Sequence, residues 1–215
     1  PSLVGSEMCI RDSAQILEEY FAAKEPEQEV PVVSEVIDIN HTKEYEDLTI
    51  HKVNEHTRAY IKIQDGCNQF CSYCIIPYTR GRIRSKNPEE VIEEVKNLAA
   101  QGYKEIVLTG IHLSSYGKDL GTVTLLDVIK RIQQVEDVER IRLGSLEPRI
   151  ITEEFVKELV KCDKVCPHFH LSLQSGCDQT LKRMNRKYTT EEYEEALKLT
   201  KNAMYINLSL IHISE

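Results

Sequence analysis

The residues best suited to chemistry are Cys67, Cys71 and Cys74, which lie in the run GCNQFCSYC. Spaced C-x3-C-x2-C, their thiolates can wrap around one compact inorganic cluster. An iron–sulfur cube normally takes four cysteine ligands, so a loop that supplies three leaves one iron open to a small ligand. An open iron is what catalysis at such a cluster needs. Two plainer readings compete. A structural zinc site wants four ligands and usually paired C-x2-C units, and three unrelated buried thiols need no spacing at all. The spacing, and the place of the loop directly after a β-rich run, favour the cluster.

Positive charge is the second feature. TRGRIRSK puts Arg80, Arg82, Arg84 and Lys86 at alternate positions, which in an extended segment aims all four in one direction. A second strip holds Lys182, Arg183, Arg186 and Lys187. Guanidinium groups suit phosphate oxygens, so Arg80, Arg82, Arg183 and Arg186 are candidates for substrate or RNA contact. Lys182 and Lys187 are expected to lie on a solvated face. His168 and His170 share one strand face near Cys162, Cys166 and Cys177. No C-x2-C pair occurs among these cysteines, so packing is expected there rather than a second metal.

Such residues need a scaffold. From Arg58 onward, the β-rich runs AYIKIQ (59–64), EIVLTG (105–110), RIRLGS (140–145) and HFHLSLQS (168–175) alternate with helical patterns. The first helix is expected to open with Asn87 as cap, Pro88 at its first position and Glu90 three residues after the cap, and to close before Gly102. Val91, Ile92, Val95, Leu98 and Ala99 fall on one face of it. Further helices are expected after Thr124, after Thr152 and from Thr189 toward Asn202. This alternation argues for an α/β fold, a parallel sheet with helices outside it. In such folds chemistry sits beyond the carboxyl ends of the strands. Those ends read QDGC, LTGIH, GSLEP and LQSG, all rich in glycine and small polar residues.

Composition sets the outer limits. Hydrophobic residues at 41% and charged residues at 29% exclude a wholly disordered chain. A net charge of −8 argues against bulk electrostatic binding of nucleic acid, while leaving local basic strips possible. No apolar run reaches the ~20 residues of a membrane span, so no membrane partner is expected. The seven cysteines are odd in number and clustered, and the N-terminus does not read as a signal peptide. A reducing, cytoplasmic setting and metal chemistry are therefore expected.

The two ends read differently. Val4–Ser13 (VGSEMCIRDS) can be encoded by GTGGGCTCGGAGATGTGTATAAGAGACAG, up to its last incomplete codon. The reverse complement begins CTGTCTCTTATACACATCTCCGAG, which translates as LSLIHISE, the residues Leu208–Glu215. One DNA string read on both strands resembles a sequencing adaptor. Residues 1–13 and 208–215 are therefore expected to be artefact, with Cys9 and His212 carrying no function. Residues 14–57 are read as the tail of an N-terminal domain and a linker, and 58–207 as the main domain.

The cysteine motif on a partial parallel barrel resembles the radical S-adenosylmethionine superfamily. IQDGCNQFCSYCIIPYTRGRIRS, LTGIHLSSYG, RLGSLEP and HFHLSLQSGCDQTLKRMNRKYT narrow the resemblance to its methylthiotransferase family. They look most like the branch that modifies threonylcarbamoyladenosine in tRNA. In the sister branch acting on isopentenyladenosine, the segment after the second strand usually looks more like LGQNVNSYG. The resemblance implies a partial radical-SAM-type parallel (β/α) barrel, truncated in the fifth strand, whose activity adds a methylthio group to the adenine C2 of threonylcarbamoyladenosine. The alternatives are the isopentenyladenosine branch, a branch modifying a ribosomal-protein aspartate, and a non-catalytic metal-binding module.

Residue by residue, the resemblance implies that Cys67, Cys71 and Cys74 hold a 4Fe–4S cluster whose fourth iron binds the methionyl end of S-adenosylmethionine. The reduced cluster would cleave the sulfonium to a radical that takes hydrogen from an unactivated adenine carbon. Tyr73 matches a position near the cofactor's adenine, and Thr109 and Gly110 match contacts to its methionine moiety. Ser145, Glu147, Gln174 and Ser175 match positions for ribose and carboxylate contacts. Full members also carry a second cluster in an N-terminal domain and a C-terminal RNA-binding domain, and this sequence is expected to carry neither. The partners implied are the tRNA anticodon loop as substrate and an electron donor such as flavodoxin or ferredoxin.

Overall fold

In β1 (Arg58–Asp65), Ala59, Ile61 and Ile63 point into the core while Arg58 and Tyr60 face out. This is the period-two pattern of a strand with one covered face, until the last three residues bury on both sides. The computed structural model describes residues 58–203 and 207–211, together with 39–43, Glu18, Phe21 and Tyr45. Strand β2 (Arg84–Ser85) pairs antiparallel with the end of β1, Gln64 opposite Ser85. Strands β3 (Glu105–Gly110) and β4 (Arg140–Leu143) run parallel to β1, giving the order β2-β1-β3-β4. Strand β5 (His168–Ser172) pairs in parallel with β6 (Asn207–Ile211). Parallel bridges Ile141–Val165 and Leu146–Leu171 join the two ladders into one curled half-barrel.

Helices α1 (Ile76–Thr79), α2 (Pro88–Ala100), α3 (Leu125–Ile132), α4 (Glu153–Leu159), α5 (Asp178–Arg183) and α6 (Thr190–Ala203) connect the strands. The longer ones start where side chains satisfy orphan N–H groups. The Asn87 amide oxygen accepts from Glu89 N at 2.9 Å. Thr124 and Asp127 form a reciprocal capping box, as do Thr189 and Glu192. Val91, Val95 and Leu98 of α2 and Val128, Ile129 and Ile132 of α3 pack onto Ile61, Ile106 and Ile141 of the sheet. Cys162 is part of that core and Cys166 is buried beside it, as the packing reading expects.

The structure corrects several expectations. The third and fourth strands stop at Leu143 and Ser172, short of 145 and 175, so GSLEP keeps only the Leu146 bridge to the sheet and LQSG is a loop beyond it. The main domain was expected to end at residue 207, within a fifth strand, and the pairing of that strand runs Asn207–Ile211, into the segment read as adaptor. Such a ladder uses backbone groups that every residue owns, so it speaks of conformation and not of where the residues came from. Residues 1–13 lie outside the described residues.

The basic strip is not one extended face. Arg80 ends α1, Gly81 turns the chain at φ +71°, and both Arg84 and Lys86 are buried. Lys86, only 2% exposed, meets Glu94 of α2 at 2.7 Å. A buried pair of this kind is fragile to half-removal, because the remaining ion keeps its desolvation penalty. Lys86→Met is therefore expected to cost about 3–5 kcal/mol in chemical denaturation. The double variant Lys86→Met with Glu94→Leu should recover most of that loss, and an equal loss in both would show that the charge pair is not the cause.

Candidate functional site

The cysteine loop leaves the sheet through a tight exit. Gln64, fully buried, donates its amide to Asp65 O and Gly66 O at 2.6 and 2.7 Å and accepts from His112 N at 2.7 Å. It thus brackets the ends of β1 and β3. Gly66 follows at φ +67°, where an added Cβ would lie 1.8 Å from Arg82 O. Only glycine fits that left-handed, crowded position. Cys67 N then donates to Gly81 O at 3.1 Å, and the Asn68 side-chain oxygen accepts from Ile83 N at 3.3 Å. The Arg82 guanidinium lies over the Phe70 ring, 4.6 Å from its centroid.

A second segment, far off in sequence, closes on the loop from the other side. Ser72 N donates to Met184 O at 3.1 Å, and the Asn185 amide donates to Phe70 O at 2.8 Å. Arg186 Nη1 lies 3.3 Å from Cys71 Sγ, and Gln69 N donates to Cys67 Sγ at 3.4 Å. All three loop cysteines are free and half-buried. Burial pushes the Cys67 thiol up, only partly offset by the Gln69 N–H, with Cys71 and Cys74 nearby adding to the rise. Among the described residues no three His, Cys, Asp or Glu side chains converge closely enough for a single metal ion. Three free thiols, two of them facing N–H donors, fit an anionic thiolate-ligated cluster.

Beyond β4 sits a buried carboxylate. Glu147 Oε2 is 3.2 Å from His112 Nε2 and 3.3 Å from Gln69 Nε2, while Oε1 is buried without a hydrogen-bond partner. Burial alone would raise its pKa, but the His112 contact and the positive charges of Arg186 and Arg149 prevail and hold it below the usual value. His112 Nδ1 lies 2.6 Å from Ser115 Oγ. Sequence reasoning had not singled out His112. Its only signal was its place just past the strand end, in LTGIH.

The remaining expected residues divide. Tyr73, 54% exposed, donates its hydroxyl to Gln174 Oε1 at 3.0 Å, bridging the cysteine loop to the end of β5. Ser145 Oγ meets His170 Nδ1 at 2.6 Å, so His170 also belongs to this rim. Gly110 abuts Gln64, and the Thr109 hydroxyl donates back to Ile61 O at 3.1 Å, a strand contact. Ser175 accepts from Cys177 N and serves the local turn. Arg183 is exposed and points along α5 to Thr180, away from the thiols. Arg80 lies 4.0 Å from Asp65, near the loop exit. Arg186, expected to face RNA, is turned onto Cys71. A cleft of about 890 Å³ lies between residues 114–130 and 147–158 and meets the site at Ser114 and Glu147.

The profile of the Radical SAM superfamily matches residues 61–213. The chain is 43% identical over 173 residues to the threonylcarbamoyladenosine tRNA methylthiotransferase MtaB of Bacillus subtilis, covering 80% of this chain and 38% of the relative. It is 46% identical over 147 residues to the tRNA-2-methylthio-N(6)-dimethylallyladenosine synthase of a Thermoanaerobacter species, covering 68% and 31%. The chain thus spans about a third of the length of these relatives. In fold it is similar to the radical S-adenosylmethionine methyltransferase TsrM of Kitasatospora setae, at TM-score 0.58 and 20% identity, over 71% of this chain and 30% of that one. No helix among the described residues is long and apolar enough to cross a membrane.

The site's geometry predicts an order of thiol reactivity. Cys177 is exposed, and hydrogen bonds from Thr180 lower its pKa, whereas burial raises that of Cys67. Only the thiolate reacts, so in the metal-free chain at mildly alkaline pH iodoacetamide should alkylate Cys177 before Cys67. Peptide mass spectrometry reads the order, and Cys67 labelling first would contradict the loop geometry.

Proposed function

The chain belongs to the radical SAM superfamily, and from that premise we propose that it is part of a tRNA methylthiotransferase whose 4Fe–4S cluster is held by Cys67, Cys71 and Cys74. The observation that supports this most is the convergence on one strand-end loop of three free thiols, the Arg186 N–H on Cys71, and the Gln69–Glu147 and Tyr73–Gln174 bridges. When bound, the cluster and S-adenosylmethionine supply the one-electron chemistry. This chain's residues would then orient and desolvate. Glu147, ionised and with Oε1 unpartnered, offers an acceptor for a ribose hydroxyl of the cofactor. Tyr73, held by Gln174, presents its ring beside the last cysteine, where it would pack on the adenine. Ser145, Ser175, Thr109 and Gly110 complete the rim, with the last two acting through backbone and shape.

The substrate we propose is threonylcarbamoyladenosine in the tRNA anticodon loop, with an electron donor such as flavodoxin or ferredoxin. The segment LTGIHLSSYG supports it, because it is unlike the LGQNVNSYG usual in the sister branch, and its His112 contacts Glu147 inside the site. The second reading, dimethylallyladenosine, is favoured by the identity to the Thermoanaerobacter relative. Arg80 and Arg82, beside the loop exit, are the basic groups best placed to approach RNA phosphates.

Anaerobic reconstitution with iron and sulfide tests the cluster. The wild-type chain should turn brown with about four irons bound, and Cys67→Ala, Cys71→Ala or Cys74→Ala should abolish this. A colourless, zinc-binding chain, or equal iron in wild type and variants, would overturn the reading. For the substrate, nucleoside mass spectrometry after incubation with tRNAs bearing either adenosine decides. Methylthiolation of only the dimethylallyl form would transfer the assignment to the sister branch.

A further inference from the structure

Arg186 is held where it can act on the electronics of the site rather than on RNA. Its guanidinium lies over the Tyr188 ring, 5.0 Å from the centroid. Tyr188 is buried, and its hydroxyl donates to Ser172 O and Leu173 O at 2.8 Å each, which ties it to the end of β5. From that platform Nη1 reaches Cys71 Sγ at 3.3 Å. The preceding residue fixes the approach: Asn185 sits at φ 58° and its amide grips Phe70 O and Gln69 O, while Phe70 itself is at φ 51°. Two non-glycine residues in the left-handed region, joined by hydrogen bonds across 115 residues of sequence, mark a contact that the fold enforces.

We propose that Arg186 is a positioning residue for the cluster, whose fixed cation and N–H···S bond to Cys71 raise the cluster's reduction potential. The inference rests on the cluster reading above. Reduction adds one negative charge to the thiolate-bound cluster. A guanidinium, which stays charged at any working pH, stabilises the reduced form more than the oxidised one. Hydrogen bonds to the ligand sulfurs act in the same direction. The buried Glu147 carboxylate, whose charge is felt at Cys67, opposes it, so the two groups pull the potential in opposite directions.

The test is a redox titration of the reconstituted chain, read from the cluster's absorption, in wild type, Arg186→Gln and Arg186→Lys, with iron content measured alongside. At a fixed applied potential Arg186→Gln should lower the ratio of reduced to oxidised cluster about tenfold, equivalent to about 59 mV for a one-electron couple. Arg186→Lys, which keeps the charge but loses the planar fork, should shift it less in the same direction. If Arg186→Gln fails to hold iron, the shift in Arg186→Lys decides alone. Unchanged or raised potentials in whichever variant holds iron would overturn the proposal. Loss of iron from both would also overturn it, since Arg186 would then be a structural support. A wild-type chain that takes up no cluster would overturn the cluster reading itself, which separates the two failures.

Discussion

At Gly66 the backbone passes so close to the Arg82 carbonyl that no side chain fits between them, and the thiol loop hangs from that crossing. A loop of this kind has no ladder of its own, so its conformation must be imposed by neighbours. Gln64 supplies one constraint by tying the ends of β1 and β3 together from below. The two-residue strand β2 supplies another. Ser85 is fixed to Asp119 at 2.6 and 2.8 Å, and Lys86 is fixed to Glu94, so the 81–83 segment that receives Cys67 and Asn68 has little freedom. Gln64, Ser85 and Lys86 beneath the site are thus each held by named partners, which favours one arrangement over many.

Above the crossing the site is built from long-range contacts. The Tyr73–Gln174 and Gln69–Glu147 bonds join the cysteine loop to the segments after β5 and β4, and the Asn185–Phe70 bond joins it to the turn after α5. A change in any of those segments therefore reaches the cysteine loop through one hydrogen bond. The electrostatic pattern follows the same geometry, with Glu147 buried on one side and Arg186 on the other. Neither charge is left alone. Glu147 has His112, and Arg186 has Cys71 and the Tyr188 ring, as burial of ions demands.

Much of the scaffold could be read from periodicity. The caps Asn87, Thr124 and Thr152 open helices as their side chains suggested, and the four β-rich runs all formed strands. Short elements escaped notice. Helices α1 and α5 span only four and six residues, too few for a 3.6-residue period to show, and β2 is a dipeptide whose antiparallel pairing no alternation could announce. The basic strip misled for a related reason. Alternate positions share a face only if the chain is extended, and Gly81 turns it instead.

Residue types and spacing set the chemistry on offer: three cysteines at fixed spacing after a strand, carboxylate and amide groups at later strand ends, and an α/β rhythm that gathers those ends at one rim. These are local facts, set by residue type and by short-range backbone preference. Only the tertiary structure decided which groups meet. That Arg186 faces a sulfur, that His112 joins Glu147, and that Arg84 and Lys86 are buried rather than offered to a phosphate are outcomes of contacts between residues far apart in the chain. Such contacts depend on register, twist and close packing summed over the whole sheet, and no local pattern encodes them.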